Sequence, residues 1–334
     1  MLLNRDRATE ILARTRLDAL VLSDPLKTDG GALMRVLGKA PLEARELHRR
    51  AATSAATFHA SMSEGVAAIL NAMGLGNGTL GIDSLEAQQW ATEAAPAATI
   101  RVAADIVRHI RLVKTAPELA YLEAAAEANS RALIAAVHGA RAAGSLRALR
   151  ERFFSEAALR GNTGIFMLVD GVMDETYEES LVEGRAFLVD GVSHRAFYQG
   201  DYARTVCIGE PSAELRRVSE ALSLAWGEIR SRLRPGLRFS QIRDIGISAL
   251  KQAGYDYTVA FKPHSVGLAH EDQPRADLDG RPFDLALVEG MVLSVDCPLL
   301  DVGVGGTAHL EDLTLITADG SRPIHTVDAP LILV

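Results

Sequence analysis

The chain has 334 residues, 48% hydrophobic and 23% charged, with 35 Lys+Arg against 43 Asp+Glu for a formal net charge of −8. This much apolar content excludes a disordered chain, and the acidic balance argues against a nucleic-acid partner, whose phosphates call for a basic face. At roughly 100–200 residues per domain, the length suggests two domains. Cys207 and Cys297 are too few to staple a secreted fold. No run of about 18 apolar residues is available to span a bilayer. Asp6 and Arg7 interrupt the N-terminus where a secretory signal would need an apolar stretch. A cytoplasmic protein without membrane association is expected.

Asn4 can cap a helix over residues 5–15, and Ala19-Leu20-Val21-Leu22 reads as a short strand. The alanine-rich, charged segment 41–73 reads as helices. Residues 79–83 and 99–102 read as strands around a helix over 85–94, which completes a small α/β unit. The character changes near Arg111. Thr115-Ala116-Pro117-Glu118 opens a long helix through about residue 140, with Pro early and an acid in the first turn. The expected division is an N-terminal α/β domain over 1–112 and a larger α+β domain over 113–334. Within the second, residues 146–160 read as a helix, 164–208 as β-rich, and 213–233 and 240–252 as helices parted by Pro235-Gly236. From residue 257 onward, short apolar runs and turn signals predict antiparallel sheet.

Four segments can carry chemistry. Asp190 and Asp201, eleven positions apart on two predicted strands joined by a turn, can come side by side across a hairpin. Like charges that close need a proton or a cation between them, although Asp190-Gly191 and Gly200-Asp201 are also ordinary turn dipeptides. His264 and His270 lie six positions apart with Gly267 between them. Asp296 ends the apolar run Val292-Leu293-Ser294-Val295, where an acid is costly unless paired or bound to a cation. Glu311 and Asp312 sit inside the strand pattern after His309. For each acid, the alternative is a surface position on an edge strand.

The order of these segments resembles the pita-bread fold family of methionine aminopeptidase, aminopeptidase P, prolidase and creatinase, with prolidase-like Xaa-Pro peptidases most similar. Asp201-Tyr-Ala-Arg204-Thr205 is similar to the family's Asp-x-x-Arg-Thr strand, Gly290-Met291-Val292 to its Gly-Met-Val, and His309-Leu310-Glu311-Asp312 to its Arg-x-Glu-Asp. The run from Arg111 through Lys114 to Glu118 is similar to the opening of the prolidase catalytic domain. The resemblance implies a C-terminal pita-bread domain with metal ligands Asp190, Asp201, His264, Asp296 and Glu311. It implies two divalent ions (Mn, Co, Zn or Fe), with Asp201 and Glu311 bridging, Asp190 on the first, and His264 with Asp296 on the second. A metal-bridging hydroxide would attack an amide carbonyl, with Asp296 as proton shuttle and His270 as hydrogen-bond donor. A homodimer and a small-molecule or short-peptide substrate are expected.

The chain departs from that pattern in several places. Asp296 stands where the family has Glu, Ser265 where it has Gly, and His309 where it often has Arg. The histidine that usually precedes the first aspartate is absent, since no His lies between His138 and His194. Asp170, Asp174, Glu175, Tyr177, Glu178 and Glu179 occupy that stretch, and as a pocket wall they would favour a cationic substrate. Two alternatives therefore stand beside the Xaa-Pro peptidase. One is a same-fold enzyme, a C–N hydrolase or lyase, acting on a small cationic metabolite. The other is a non-catalytic binding module for a protein partner.

Overall fold

The structure, a computed structural model, describes residues 4–21, 59–174, 176, 178–299, 306–325 and 329–334. The chain divides into two compact units, Met1–Arg111 with Pro274–Phe283, and Leu112–Gln273 with Asp284–Val334. The segment Pro274–Phe283, which the sequence reading assigned to the C-terminal domain, thus clusters with the N-terminal unit. Leu278 packs beside the cluster of Ile11, Leu17, Ala103, Ile106 and Ile110, and His109 Nε2 lies 2.8 Å from the Ala276 carbonyl oxygen. Part of the predicted helical segment 41–73 lies outside the described residues.

In the first unit, helix α1 (Arg5–Thr15) is capped by the Asn4 side chain, which accepts from Arg7 N at 3.1 Å. Strand β1 (Ala19–Val21) joins β2 (Thr79–Ile82) and β3 (Thr99–Val102) in a parallel sheet of order β1-β2-β3. Parallel neighbours need crossovers, and helix α3 (Leu85–Ala94) supplies the one between β2 and β3. Leu80 and Ile82 of β2 bury against Leu70 of α2 (Met62–Ala72) and Ala87 and Ala91 of α3. Helix α4 (Ala104–Arg111) closes the unit.

The second unit opens with α5 (Ala116–His138), whose start is a complete capping box: Thr115 Oγ1 accepts from Glu118 N, and Glu118 Oε2 accepts from Thr115 N at 2.7 Å. Leu122, Ala125, Ala126, Asn129, Leu133, Ala136 and Val137 form its buried stripe at helical spacing. The short α6 (Ala140–Ala143) leads to α7 (Leu146–Leu159). Strands β4 (Thr163–Val169), β5 (Ala186–Arg195) and β6 (Tyr198–Cys207) then form an antiparallel meander. The alternation of β-strands decides the two faces. Phe187 and Val189 with Tyr202 and Val206 pack against Leu133, Leu149 and Phe153 of the helices. Asp190, Asp201 and Ala203 point the other way.

Helices α8 (Ala213–Arg232) and α9 (Phe239–Gln252) back a second sheet of order β11-β10-β8-β7. Its strands are β7 (Lys262–Ser265), β8 (Val292–Asp296), β10 (Thr314–Ile316) and β11 (Ser321–Pro323), and all its pairings are antiparallel. Leu293 and Val295 join Val218, Leu222, Trp226 and Ile229 in the core beneath it, and each such fully buried side chain contributes roughly 1.5–3 kcal/mol. Ser294 and His264, register partners, take the opposite face. The two-residue strand β9 (Leu310–Glu311) adds to β6 in the first sheet. The predicted C-terminal antiparallel sheet is corrected at one strand: β12 (Leu331–Leu333) runs parallel to β6 in the first sheet.

Candidate metal centre

The β5–β6 register sets the floor of the site. Asp190 pairs with Ala203, and Asp201 pairs with Val192. The two aspartates are therefore diagonal neighbours on one face, not directly opposed, and Asp190 lies mid-strand. Glu311 arrives on β9 opposite Ala203. From the second sheet, His264 and Ser294 meet this face: His264 Nε2 is 3.3 Å from Glu311 Oε1, and Ser294 Oγ donates to the same oxygen at 2.6 Å. The His264 Nδ1 side lies 3.2 Å from the His270 carbonyl oxygen, a contact that leaves Nε2 facing the acids.

His270 follows β7 in a loop tied down by Gln199, whose N donates to Gly267 O at 2.9 Å and whose Nε2 donates to Leu268 O at 3.2 Å. Its Nε2 is 3.1 Å from Asp201 Oδ2, misaligned for a hydrogen bond, and its ring stands edge-on to Phe166 at 5.4 Å. Donor atoms converge in two groups within 4.8 Å: Asp201, His264, His270 and Glu311, and Asp190, His309 and Glu311. Of the five ligand positions that the resemblance implied, four are thus in these groups. Asp296 is in neither. Its Oδ1 lies 3.8 Å from His264 Nε2 and 3.7 Å from His309 Nε2, and its side chain is 23% exposed, at the rim. An aspartate is one methylene shorter than the glutamate of the family pattern, and its oxygens join neither group of converging donors.

His309, noted from the sequence only as a departure from the family's Arg, lies among the converging donors. The period of two along a strand was the available signal, because it puts residues 309 and 311 on one face. Ser294 was missed entirely.

The acids and imidazoles titrate as one body. Burial first, then the charges of Glu311 and Asp201, pushes Asp190 well above the usual carboxylate range. Burial and Glu311 push Asp201 up to about 6 against the pull of His270 and His264. Burial opposes ionisation of Glu311 as well, yet the His264 and His309 imidazoles beside it hold it well below the usual value. The imidazoles answer in kind. Burial works against protonation of each, but Asp296 and Glu311 hold His264 well above its ordinary value and carry His309 to about 10, while Asp201 carries His270 to about 9.

Asp190 Oδ1, both Asp201 oxygens, Glu311 Oε2, His270 Nε2 and His309 Nδ1 are buried and have no hydrogen-bond partner among the described residues. Buried carboxylate oxygens left so are costly, and a divalent cation satisfies them, so this donor set fits one.

Behind the cage, Arg204 is fully buried. It donates to Glu311 O at 2.8 Å and Asp312 Oδ1 at 2.7 Å, and its guanidinium lies 3.9 Å from the Tyr202 ring centre. Trp226 Nε1 donates to the other Asp312 oxygen at 3.2 Å. These contacts fix the β9 backbone that carries Glu311. Among the described residues of the stretch 170–179, Asp170 and Glu179 pair with Arg185, Glu178 with Arg147 at 3.0 Å, and Asp174 with Thr176. Glu175 and Tyr177 lie outside the described residues. Cys207 and Cys297 are buried free thiols. No helix among the described residues is long and apolar enough to cross a membrane.

Two helix-backed sheets with their polar faces turned inward are the pita-bread architecture, and the buried acids and imidazoles at that place mark a metallopeptidase-type hydrolase. The chain belongs to metallopeptidase family M24, whose sequence pattern matches residues 98–318. It is similar to an Xaa-Pro dipeptidase of Pyrococcus furiosus, 23% identical over 239 residues that span 68% of this chain and 67% of the relative. Its fold is similar to that of an Xaa-Pro dipeptidase from Bacillus anthracis (TM-score 0.74, 19% identity, 98% of each chain covered). It is also similar to dipeptidase PepE from Mycobacterium ulcerans (TM-score 0.72, 19% identity, 98% of this chain and 96% of the other).

Proposed function

We propose that the chain is a dinuclear metal-dependent hydrolase that cleaves the amide bond of Xaa-Pro dipeptides or short Xaa-Pro peptides. The observation that carries this reading is that Glu311 belongs to both groups of converging donors, so one carboxylate can serve two cations. Asp190 and Glu311 would hold one ion, and Asp201, His264 and Glu311 the other. Mn, Co, Zn and Fe all suit such donors. Two such cations supply Lewis acidity toward an amide carbonyl and a water of lowered pKa.

The chain's own groups do the rest. Ser294 and Arg204 hold Glu311 in place through its side chain and its backbone. His270, whose side chain is 31% exposed, stands between the cage and solvent and can donate a hydrogen bond to the substrate carbonyl oxygen. Asp296 at the rim can hold a proton and pass it to the leaving amine. A homodimer is proposed from the family resemblance, and a cytoplasmic location from the sequence composition.

The test is a panel of Xaa-Pro dipeptides, longer Xaa-Pro peptides, dipeptides without proline and small cationic amides, run on protein loaded separately with each metal. Release of free proline from dipeptides is expected, and Asp201→Asn should lower it by about a hundredfold or more. Silence on every Xaa-Pro substrate, with turnover of a cationic amide, would replace this reading with the non-peptidase one.

A further inference from the structure

His309 is 4% exposed, and its backbone is held on both sides by one hydroxyl: Thr205 Oγ1 accepts from His309 N at 2.9 Å and donates to His309 O at 3.1 Å. A ring fixed at its root in this way is preorganised. Its Nε2 lies 3.4 Å from Glu311 Oε2, an oxygen that nonetheless has no hydrogen-bond partner among the described residues. Two donors each about 2.1 Å from one ion in tetrahedral arrangement are about 3.4 Å apart, so this spacing is that of two ligands sharing a cation. Asp190 completes the group, and Asp296 is in neither group of converging donors.

We propose that His309 is a metal ligand of this protein. With Asp190 and Glu311 it makes a subsite of one imidazole and two carboxylates, and Asp296 is not required for either ion. A nitrogen donor at each subsite moves the cage from an oxygen-dominated set toward one suited to borderline ions such as Zn and Co in preference to Mg or Ca. The inference rests on the metal-binding half of the proposed function and not on the identity of the substrate.

The experiment is Co2+ and Zn2+ binding by calorimetry, with X-ray absorption at the metal edge, on the wild-type chain, His309→Gln and Asp296→Asn. The wild type is expected to bind two ions and to show imidazole scattering at both subsites. His309→Gln should weaken one ion at least tenfold and remove one imidazole from the average, while Asp296→Asn should change both affinities less than threefold. The wild-type spectrum carries the test even if a variant misfolds. Wild-type affinity and an unchanged imidazole count in His309→Gln, or loss of an ion in Asp296→Asn instead, would overturn the proposal. A wild type that binds two ions yet cleaves no Xaa-Pro substrate ends the activity reading alone, and one that binds no ion ends both.

Discussion

Asp190 and Glu311 flank the same small residue: the sheet register pairs Ala203 with Asp190 on β5 and with Glu311 on β9. Asp201 lies two positions along the strand from Ala203, so the alanine methyl sits at the centre of the three carboxylates. A larger side chain there would occupy the space in which they converge.

Ala203→Val is therefore expected to damage the site more than the fold. Crowding of this kind costs about 1–3 kcal/mol, equivalent to a loss of divalent-cation affinity of about five- to 150-fold. Calorimetric metal titration and circular dichroism on the same sample check both halves, and unchanged affinity would refute the placement of the cage floor.

Cation binding to the native cage stabilises the fold by mass action, by about 2.7 kcal/mol when the free ion is at a hundred times its dissociation constant. The melting temperature should rise with added Co2+ or Mn2+, fall with a chelator, and lose this response in Asp201→Asn. Scanning fluorimetry at several metal concentrations reads it, and a melting temperature indifferent to metal and chelator in the wild type would count against the site.

Gly200 of β6 lies directly against α5. A Cβ there would lie 2.6 Å from the Ala125 carbonyl oxygen and 2.7 Å from Asn129 Cβ. Gly200→Ala must push the helix off the strand next to Asp201, and a loss of about 1–3 kcal/mol is expected. Urea denaturation measures it. A wild-type midpoint would mean that α5 is free to move.

Strand alternation is local information, but Asp190 and Asp201 share a face only because the register pairs Asp190 with Ala203, two positions from Asp201. Which residues oppose each other is not local. The hairpin turns on Ala196 and Phe197, both at positive φ, where a glycine or asparagine would have announced the turn and fixed the two-residue offset. Asp296 and His309 exchanged importance for a reason of reach: the sequence shows residue types, whereas one methylene and one strand offset decide which side chain arrives. The parallel pairing of β12 with β6 had no sequence signal, since Leu331-Ile332-Leu333 suits either direction.

Lys114 and Asp272 form an ion pair at 3.9 Å with both side chains 1% exposed. Asp272 N donates to Ser265 O at 2.7 Å, and Ser265 N donates to Gln273 Oε1 at 2.9 Å, so the pair anchors the base of the loop that carries His270. Asp272→Asn removes the charge of one buried partner of the lysine, at a cost of about 3–5 kcal/mol. Equilibrium unfolding in urea should show it, and a variant within about 0.5 kcal/mol of wild type, the range of a surface substitution, would mean that the pair is not an anchor.

The first unit carries a pH dependence of its own. His109 is 9% exposed and its Nε2 is 2.8 Å from Ala276 O, while Arg7 Nε donates to the His109 carbonyl at 2.7 Å. Burial lowers its pKa from the ordinary 6.5, the Ala276 carbonyl and Asp105 oppose this, and the charges of Arg7 and Arg14 reinforce it. Glu10 and Asp277 also line the cavity beside it, and Asp277 is held by backbone N–H donors from Asp279 and Arg281. The folded histidine therefore takes up a proton less readily than the unfolded one. Its contribution is fully present above pH 6.5 and is lost as the pH falls through the lowered folded value, because the unfolded chain is protonated first. Hydrogen exchange over Pro274–Phe283 should accelerate between pH 7.5 and pH 5.5, after correction for intrinsic rates. His109→Gln, which keeps an N–H donor but does not titrate, should lose that acceleration. Equal pH dependence in the two proteins would assign the effect to the neighbouring carboxylates instead.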